Sequence, residues 1–545
     1  MADTYTGESV EGKVPLPGGP FRPNPAKKNP GDWCPLVDLM EIYPGNRGTN
    51  QQGAYELYDA PVGIRLKVTE ASKSEPFLVS ETEWEGKGEL RAGAVWQNEQ
   101  GYHMMYTASP PPSPAQITSA GDISCYAVSE DGYNWTRPNL GQVEFNGSRN
   151  NNIVANIPFL EGTLEDPKAP PEERFKAMSC EGFWVDPDNG DILTNEEADI
   201  RNTAQEFQGD AYKGPRVQLR GRLEGFTSPD RIHWTKMSEP LAEAPSDGTN
   251  APHYDPDRDI YFFYPRIHGV EAGEDIGIGT GNPEVGIIRR SIGISRTKDF
   301  RKWPQPKLIL FPDAQDDLDV SFYGCNYFKY AGRTDLHGML LMVYHQATDQ
   351  VDTQLAFSRD GMIWSRPERK AIIPVGPTGS GDECMVYPAM GDLVELPDGY
   401  WAAAYTGMPL LHNIATIPHI TPEWPQPCQV SWARWKPHRL CGIEAETEGR
   451  FTISTIFRTK NELRLNYQCS PGGWIEVELL STTPSRLNPD AGGINGLTFE
   501  DCDRLTGDST DEVVTWQGKS NISGVGETVA IRIKMFQAEI FAYKV

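Results

Sequence analysis

Four acidic residues stand where this chain turns from loop into short apolar strand. Glu383 follows a glycine-rich loop in GSGDECMVYPA, Asp166 sits in the Asp-Pro turn of LEDPKAPPEERFK, Asp247 precedes GTNAPHYDP, and Glu89 lies two residues before Arg91 in GELRAG. Paired carboxylates are the groups that break a glycosidic bond: one protonates the leaving oxygen, and the other attacks or activates water. Asn250 and His253 lie just beyond Asp247, Tyr323 follows an acidic run, and His345 ends the apolar stretch MLLMVYH. These residues offer hydrogen bonds to a sugar. Each acid also has a plainer use, as a loop acid, an Asp-Pro turn or a turn cap.

Positioning such groups in one place requires a scaffold, and a repeat supplies it. SRDGMIWSRP begins at Ser358, SEDGYNWTRP at Ser129, SPDRIHWTKM at Ser228 and SRTKDFRKWPQP at Ser295, with SWARWKP a weaker fifth copy at Trp435. Asp-Gly is a turn pair, and the alternating apolar residues on either side read as a hairpin with tryptophan packed behind its turn. The tryptophans are 99, 69, 61 and 71 residues apart. That is too long for the shortest propeller repeats, but fits a four-stranded blade carrying insertions. The fold class expected is therefore all-β: a five-bladed β-propeller over 63–442, an extended segment without regular structure over 1–62, and a β-sandwich over 443–545. In a propeller the innermost strands point their first residues into one central funnel, which is where the acids fall.

Composition agrees with an all-β chain and narrows its partners. Gly and Pro make up 98 of 545 residues, well above the average of about 12%. The formal charge of −26 opposes nucleic acid and anionic membranes, and no apolar run is long enough for a transmembrane helix. A carbohydrate is the partner expected, and oligomeric state is left open. No signal peptide is visible, and nine scattered cysteines without a CxxC resemble buried thiols in a reducing compartment more than a disulfide framework. Secretion after loss of a leader stays open, as does the use of the sequons at Asn134, Asn146 and Asn521. No cofactor and no metal is expected for catalysis. The run Asp313, Asp316, Asp317, Asp319 reads either as a structural calcium loop or as a solvated turn, and it lacks the Gly and bidentate Glu of an EF-hand.

The stretches AVSEDGYNWTRPNLGQVEFNGSRNNNIV, EDPKAPPEERFKAMSC and DGTNAPHYDPDRDIYFFYPR, with the tail GLTFEDCDRLTGDSTDEVVTWQG, resemble the glycoside hydrolase superfamily of families 32, 43 and 68. They are most similar to bacterial proteins with a family 32 N-terminal-type domain. The resemblance runs over about residues 64–545 and implies a hydrolase built as a propeller followed by a sandwich. It implies that Glu383, beside Cys384, is the acid/base, and that Asp166 stabilises the transition state, although Glu165 stands where the family has arginine. The family's first-blade aspartate has no counterpart. GELRAG occupies that place, where Glu89 would serve as nucleophile or base, or Arg91 would receive an anionic sugar; the two share a strand face.

Two other readings stay open. In a polysaccharide lyase, His103, His345 or Tyr323 would remove a proton beside a uronate held by Arg91 or Arg220. A propeller that binds sugar without turning it over is the third.

Overall fold

The computed structural model describes residues 33–49, 55–86, 90–108, 123–157, 161–194, 197–198, 200–201, 214, 218–243, 248–268, 289–412, 427–483 and 492–545. Antiparallel strands dominate them. The first sheet consists of Leu90–Asn98, Gly101–Ala108 and Ile123–Ser129. The second is led by Thr163–Glu165, Phe175–Val185 and Gln218–Ser228, and the third by His253–Asp255, Ile260–Phe263 and Arg290–Thr297. Val320–Lys329, His337–His345 and Gln350–Ser358 make a fourth group. Met385–Pro388, Trp401–Met408 and Gln429–Trp435 make a fifth, joined to the fourth through the parallel bridge Val351–Met385.

Apolar burial links these groups in a ring. Met105, Tyr126, Ala177 and Phe226 pack between the first and second. Met178, Leu223, Phe263 and Trp303 fill the space between the second and third, and Ile292, Phe322, Tyr327 and Leu341 that between the third and fourth. Leu340, Phe357, Trp401 and Tyr405 connect the fourth to the fifth. Met104, Tyr106, Met408 and Trp432 then join the fifth back to the first. Each large side chain removed from water contributes on the order of 1.5–3 kcal/mol, so every sheet is held from both faces.

The repeated turn is built as its sequence predicts. Ser129 Oγ accepts the Gly132 N–H at 2.8 Å, Asp131 Oδ1 accepts the Asn134 N–H at 2.7 Å, and Trp135 Nε1 donates back to Gly132 O at 2.8 Å. Trp234 and Trp303 close their turns the same way, on Arg231 O and Phe300 O. In the 358 copy, Tyr264 Oη takes the Gly361 carbonyl instead, at 2.9 Å, and Trp364 packs edge-on against that tyrosine. Trp435 is no turn. It lies inside a strand and bonds Thr69 O at 2.9 Å.

Two features at the chain ends differ from expectation. The segment before residue 63 contains strands, Asn46–Thr49 paired with Tyr55–Tyr58, and Cys34–Pro35 pairs with the last strand of the chain. Arg65–Val68 likewise joins the C-terminal sheet, against Cys441–Phe457. Ser72–Lys73 and Leu78–Val79 form the outer edge of the fifth group, not the start of the first. Beyond residue 440, three 17-residue strands carry the chain: Cys441–Phe457, Arg464–Leu480 and Thr528–Lys544. Their pairing slips at Ala445/Glu448, Ile453/Ile456 and Cys469/Trp474, bulges that bend the strands around a core of Phe451, Ile475, Trp516 and Ile533. None of the nine cysteines is joined in a disulfide. Among the described residues no helix is long and apolar enough to cross a membrane.

Candidate functional site

Five segments of backbone, one from each strand group, approach one another at the middle of the ring. Val95 N donates to Met390 O at 2.9 Å and Met390 N to Gly93 O at 2.6 Å. The Asn326 amide bonds both the N–H and the carbonyl of Gly391, each at 3.0 Å. A Cβ on Gly162 would lie 2.6 Å from that of Ala251, and one on Gly324 would lie 2.4 Å from Thr249 Cγ2. Only glycine fits at these two points of approach. Their contacts form a waist with one cavity at each end.

The end formed by the starts of the inner strands holds a cavity of about 110 Å³, lined by Arg91, Glu161, Thr249, Arg266, Tyr323 and Tyr387 among others. Glu161 is its anchor. One carboxylate oxygen accepts the Thr249 N–H at 2.6 Å and the other the Asn250 N–H at 2.5 Å, and the side chain is buried. Thr249 holds φ at +58°, a rare conformation for a β-branched residue and a store of about 1–3 kcal/mol of strain. It is over-determined by its neighbours: Thr249 Oγ1 donates to Tyr264 O at 3.2 Å and accepts the Arg266 N–H at 3.1 Å.

Aromatic and cationic groups share the wall and stand behind it. The Arg266 guanidinium lies 4.4 Å from the centre of the Tyr323 ring and donates to Tyr323 O at 2.9 Å. Arg290 lies 5.4 Å from the Tyr323 and Tyr344 rings, and Arg91 5.6 Å from that of Tyr387. Tyr323 Oη is 3.1 Å from His412 Nε2, and His412 packs edge-on against the ring at 4.9 Å. Asp349 accepts from Tyr344 Oη at 2.8 Å, and its backbone carbonyl accepts the His412 N–H at 3.1 Å.

Of the residues expected to do chemistry, Arg91 and Tyr323 are brought together here. Asn250 adjoins them, sending its N–H to Glu161 while its side-chain oxygen is buried without a hydrogen bond among the described residues. Glu89 and Asp247 lie outside the described residues, although Asp247 immediately precedes Gly248 of the cavity wall. Asp166 is not brought to this cavity. It is buried inside its sheet, where its carboxylate receives the Lys176 ammonium and Tyr261 Oη. Burial opposes its charge, but these donors outweigh it and hold the carboxyl below its usual range. Its carboxylate is engaged within its own sheet.

Glu383 closes its own loop, accepting the N–H of Gly381 at 2.7 Å and of Gly379 at 3.3 Å. That places it ahead of the strand whose Tyr387 and Pro388 reach the cavity, and not in the lining itself. Burial pushes the neighbouring Cys384 thiol up to about 11. His345 bonds Asp352 at 3.0 Å, which raises its pKa, and stands away from both cavities. His103 is a satisfied core residue, bonded to Tyr126 Oη and Asn98 Oδ1 and stacked on Trp96. Arg220 lies opposite Phe183 in the second sheet. His253 lines the cavity at the other end, and burial lowers its pKa to about 3.

The acidic run is spent on arginines. Asp316 receives Arg366 and, at 2.8 Å, Arg369, while Asp313 pairs with Arg369 at 2.7 Å. Asp319 caps the Ala347 N–H. Among the described residues no cluster of His, Cys, Asp and Glu fits a metal ion.

Glu161 is the functional candidate the sequence did not single out. The Asp-Pro turn five residues on is the louder local signal, and the donors to Glu161 are 88 and 89 residues away.

No protein-family model and no curated protein matches the chain. In structure it is similar to a family 32 β-fructofuranosidase from Bombyx mori, at 9% identity over 86% of this chain and 94% of that one, with a TM-score of 0.39. It is also similar to a thermostable family 43 glycoside hydrolase, at 14% identity over 65% and 92%, TM-score 0.36. A third is an N-acetylgalactosamine deacetylase from F. plautii in complex with blood group B trisaccharide, at 12% identity over 70% and 96%, TM-score 0.38. Scores of this size transfer neither an activity nor a site residue.

Proposed function

We propose that the five strand groups are the blades of a five-bladed β-propeller, that the C-terminal sheet folds on itself as a sandwich, and that the narrow cavity hydrolyses a glycosidic bond of an oligo- or polysaccharide. One observation carries this reading. All five inner segments deliver side chains or backbone to a single cavity, and a buried carboxylate, Glu161, sits in its wall with both oxygens oriented by backbone N–H groups. Orientation by rigid backbone is what a carboxylate needs to face positive charge developing on a sugar ring. Asp247, which precedes Gly248 in sequence, is the second acid of the proposal, and Glu383 holds its own loop ahead of the strand that carries Tyr387. Tyr323 and Tyr387 offer ring faces to the sugar, with Arg91 and Arg266 donating to its oxygens.

A second reading has its own observation. The Tyr323 hydroxyl is within 3.1 Å of His412 and shares the cavity with Arg91 and Arg266, an arrangement for removing a proton beside a bound carboxylate. The two readings part in one assay: a glycan panel followed both by reducing-sugar release and by the ultraviolet absorbance of an unsaturated uronate. Hydrolysis predicts new reducing ends without absorbance, lost by at least about 100-fold in Glu161→Gln. Absorbance that disappears in Tyr323→Phe would establish elimination instead.

A further inference from the structure

At the far side of the waist the same five segments open into a larger cavity of about 460 Å³, lined by Trp96, Glu165, Arg231, His253, Lys329 and Asp392 among others. Its distinguishing residue is Arg231. In two copies of the repeated turn this position is glycine, with φ of +77° at Gly132 and +73° at Gly361, whereas Arg231 adopts the same left-handed conformation, +65°, with a full side chain. That choice costs about 1 kcal/mol. The turn itself is satisfied without it, since Asp230 caps the N–H groups of Ile232 and His233 and Trp234 closes on the residue 231 carbonyl.

The conformation sends the guanidinium between two aromatic rings, 4.7 Å from the centre of Trp96 and 4.4 Å from that of Phe175. Trp96 is backed on its own account by His103, stacked at 5.3 Å. Among the described residues the Arg231 guanidinium makes no hydrogen bond and no ion pair, and its Nε is buried without a partner. Aromatic faces hold a guanidinium in place without using its N–H donors.

Besides Arg231 the charged residues lining the cavity are Lys329, Glu165 and Asp392. Glu165 is committed to Arg174 at 2.7 Å. Asp392 accepts the Lys329 N–H at 2.8 Å. Burial keeps His253 uncharged, and burial also lowers Arg231 to about 10, with Glu165 opposing that shift. Lys329 adds a second cation to the lining.

We infer that this cavity is a second ligand site, separate from the proposed hydrolytic one, in which Arg231, clamped between Trp96 and Phe175, receives a carboxylate or phosphate group. The two sources of that chemistry are an acidic sugar and free phosphate.

The test is the melting temperature of the full chain in sodium phosphate, in sodium glucuronate and in sodium chloride at matched ionic strength, for wild type, Arg231→Gly and Arg231→Lys. Wild type is expected to melt higher in phosphate or glucuronate than in chloride, and whichever anion acts identifies the source. Arg231→Gly, which suits the turn, is expected to fold and melt at the wild-type temperature or above in chloride while losing the anion response. Arg231→Lys keeps the charge but loses the planar fork, and its response should need at least about tenfold more anion. No anion-specific rise in wild type, or an equal rise in Arg231→Gly, would overturn the inference. Neither outcome depends on glycan turnover at the other cavity.

Discussion

The two ends of the waist are built from the same five segments, yet they are different surfaces. Before the waist the residues are Arg91, Glu161, Thr249, Tyr323 and Tyr387; a few positions further on they are Trp96, Glu165, His253, Lys329 and Asp392. The narrow end has a carboxylate fixed by two backbone donors and a strained threonine. The wide end has a guanidinium fixed by two rings. The five strand groups thus separate chemistry along each inner strand, and the glycine contacts at Gly162 and Gly324 lie between the two compartments. Position along the strand decides a residue's role more than its type: Asp166, an aspartate in an inviting motif, lies past this point and is consumed by Lys176 and Tyr261.

That comparison can be broken in several ways, the first being loss of the narrow end's carboxylate. Glu161→Gln should lower turnover by at least about 100-fold, and because one amide N–H must then face a backbone N–H, it should also cost on the order of 1–3 kcal/mol in a urea melt. Lys176→Met probes the acid engaged within its own sheet. Leaving Asp166 buried and unpaired should destabilise by about 3–5 kcal/mol, while kcat measured where the protein is fully folded stays at the wild-type value; a large fall in kcat would return Asp166 to the site.

Acid should weaken the fold through its histidines. Burial lowers the pKa of His253 to about 3 and those of His337 and His438 to about 4. Between about pH 6.5 and those values the unfolded chain binds protons that the native protein refuses, so stability present above pH 6.5 falls as pH drops. From pH 7 to pH 5 the loss approaches about 2 kcal/mol per histidine. His345, raised by Asp352, works in the opposite sense, its contribution being lost as pH rises through its folded pKa. Urea melts at the two pH values measure the difference, and equal stabilities would contradict the buried neutral histidines. The smallest effect expected is at the waist. Gly324→Ala sets a methyl 2.4 Å from Thr249 Cγ2, and should cost about 1–3 kcal/mol and reduce turnover by shifting the residue that orients Glu161.

What the sequence discloses and what it hides follow a single physical line. The Ser-x-Asp-Gly turn is legible because all its bonds lie within a few residues, from Ser129 to Gly132 or Asp131 to Asn134. Alternating apolar strands give the all-β class for the same reason. The strands Cys34–Pro35 and Arg65–Val68 are invisible locally because their partners are remote: Arg65 meets Glu444 across 379 residues, and Cys34 pairs with Tyr543. Glu161 belongs with them. Arg91 and Tyr323 are legible from the strand starts, but the carboxylate between them is defined by backbone donors from a different strand group. Arg231 is legible only by contrast, as the turn copy that gives up its glycine.

The most direct test of the central claim is a screen of the purified chain against a broad glycan and aryl-glycoside panel, with Glu161→Gln, Asp247→Asn and Glu383→Gln beside wild type. The account predicts sugar release by wild type and by Glu383→Gln at a reduced rate, and none above background from Glu161→Gln or Asp247→Asn. Full activity in Glu161→Gln, with loss only in Glu383→Gln, would contradict it and move the chemistry to the Glu383 loop.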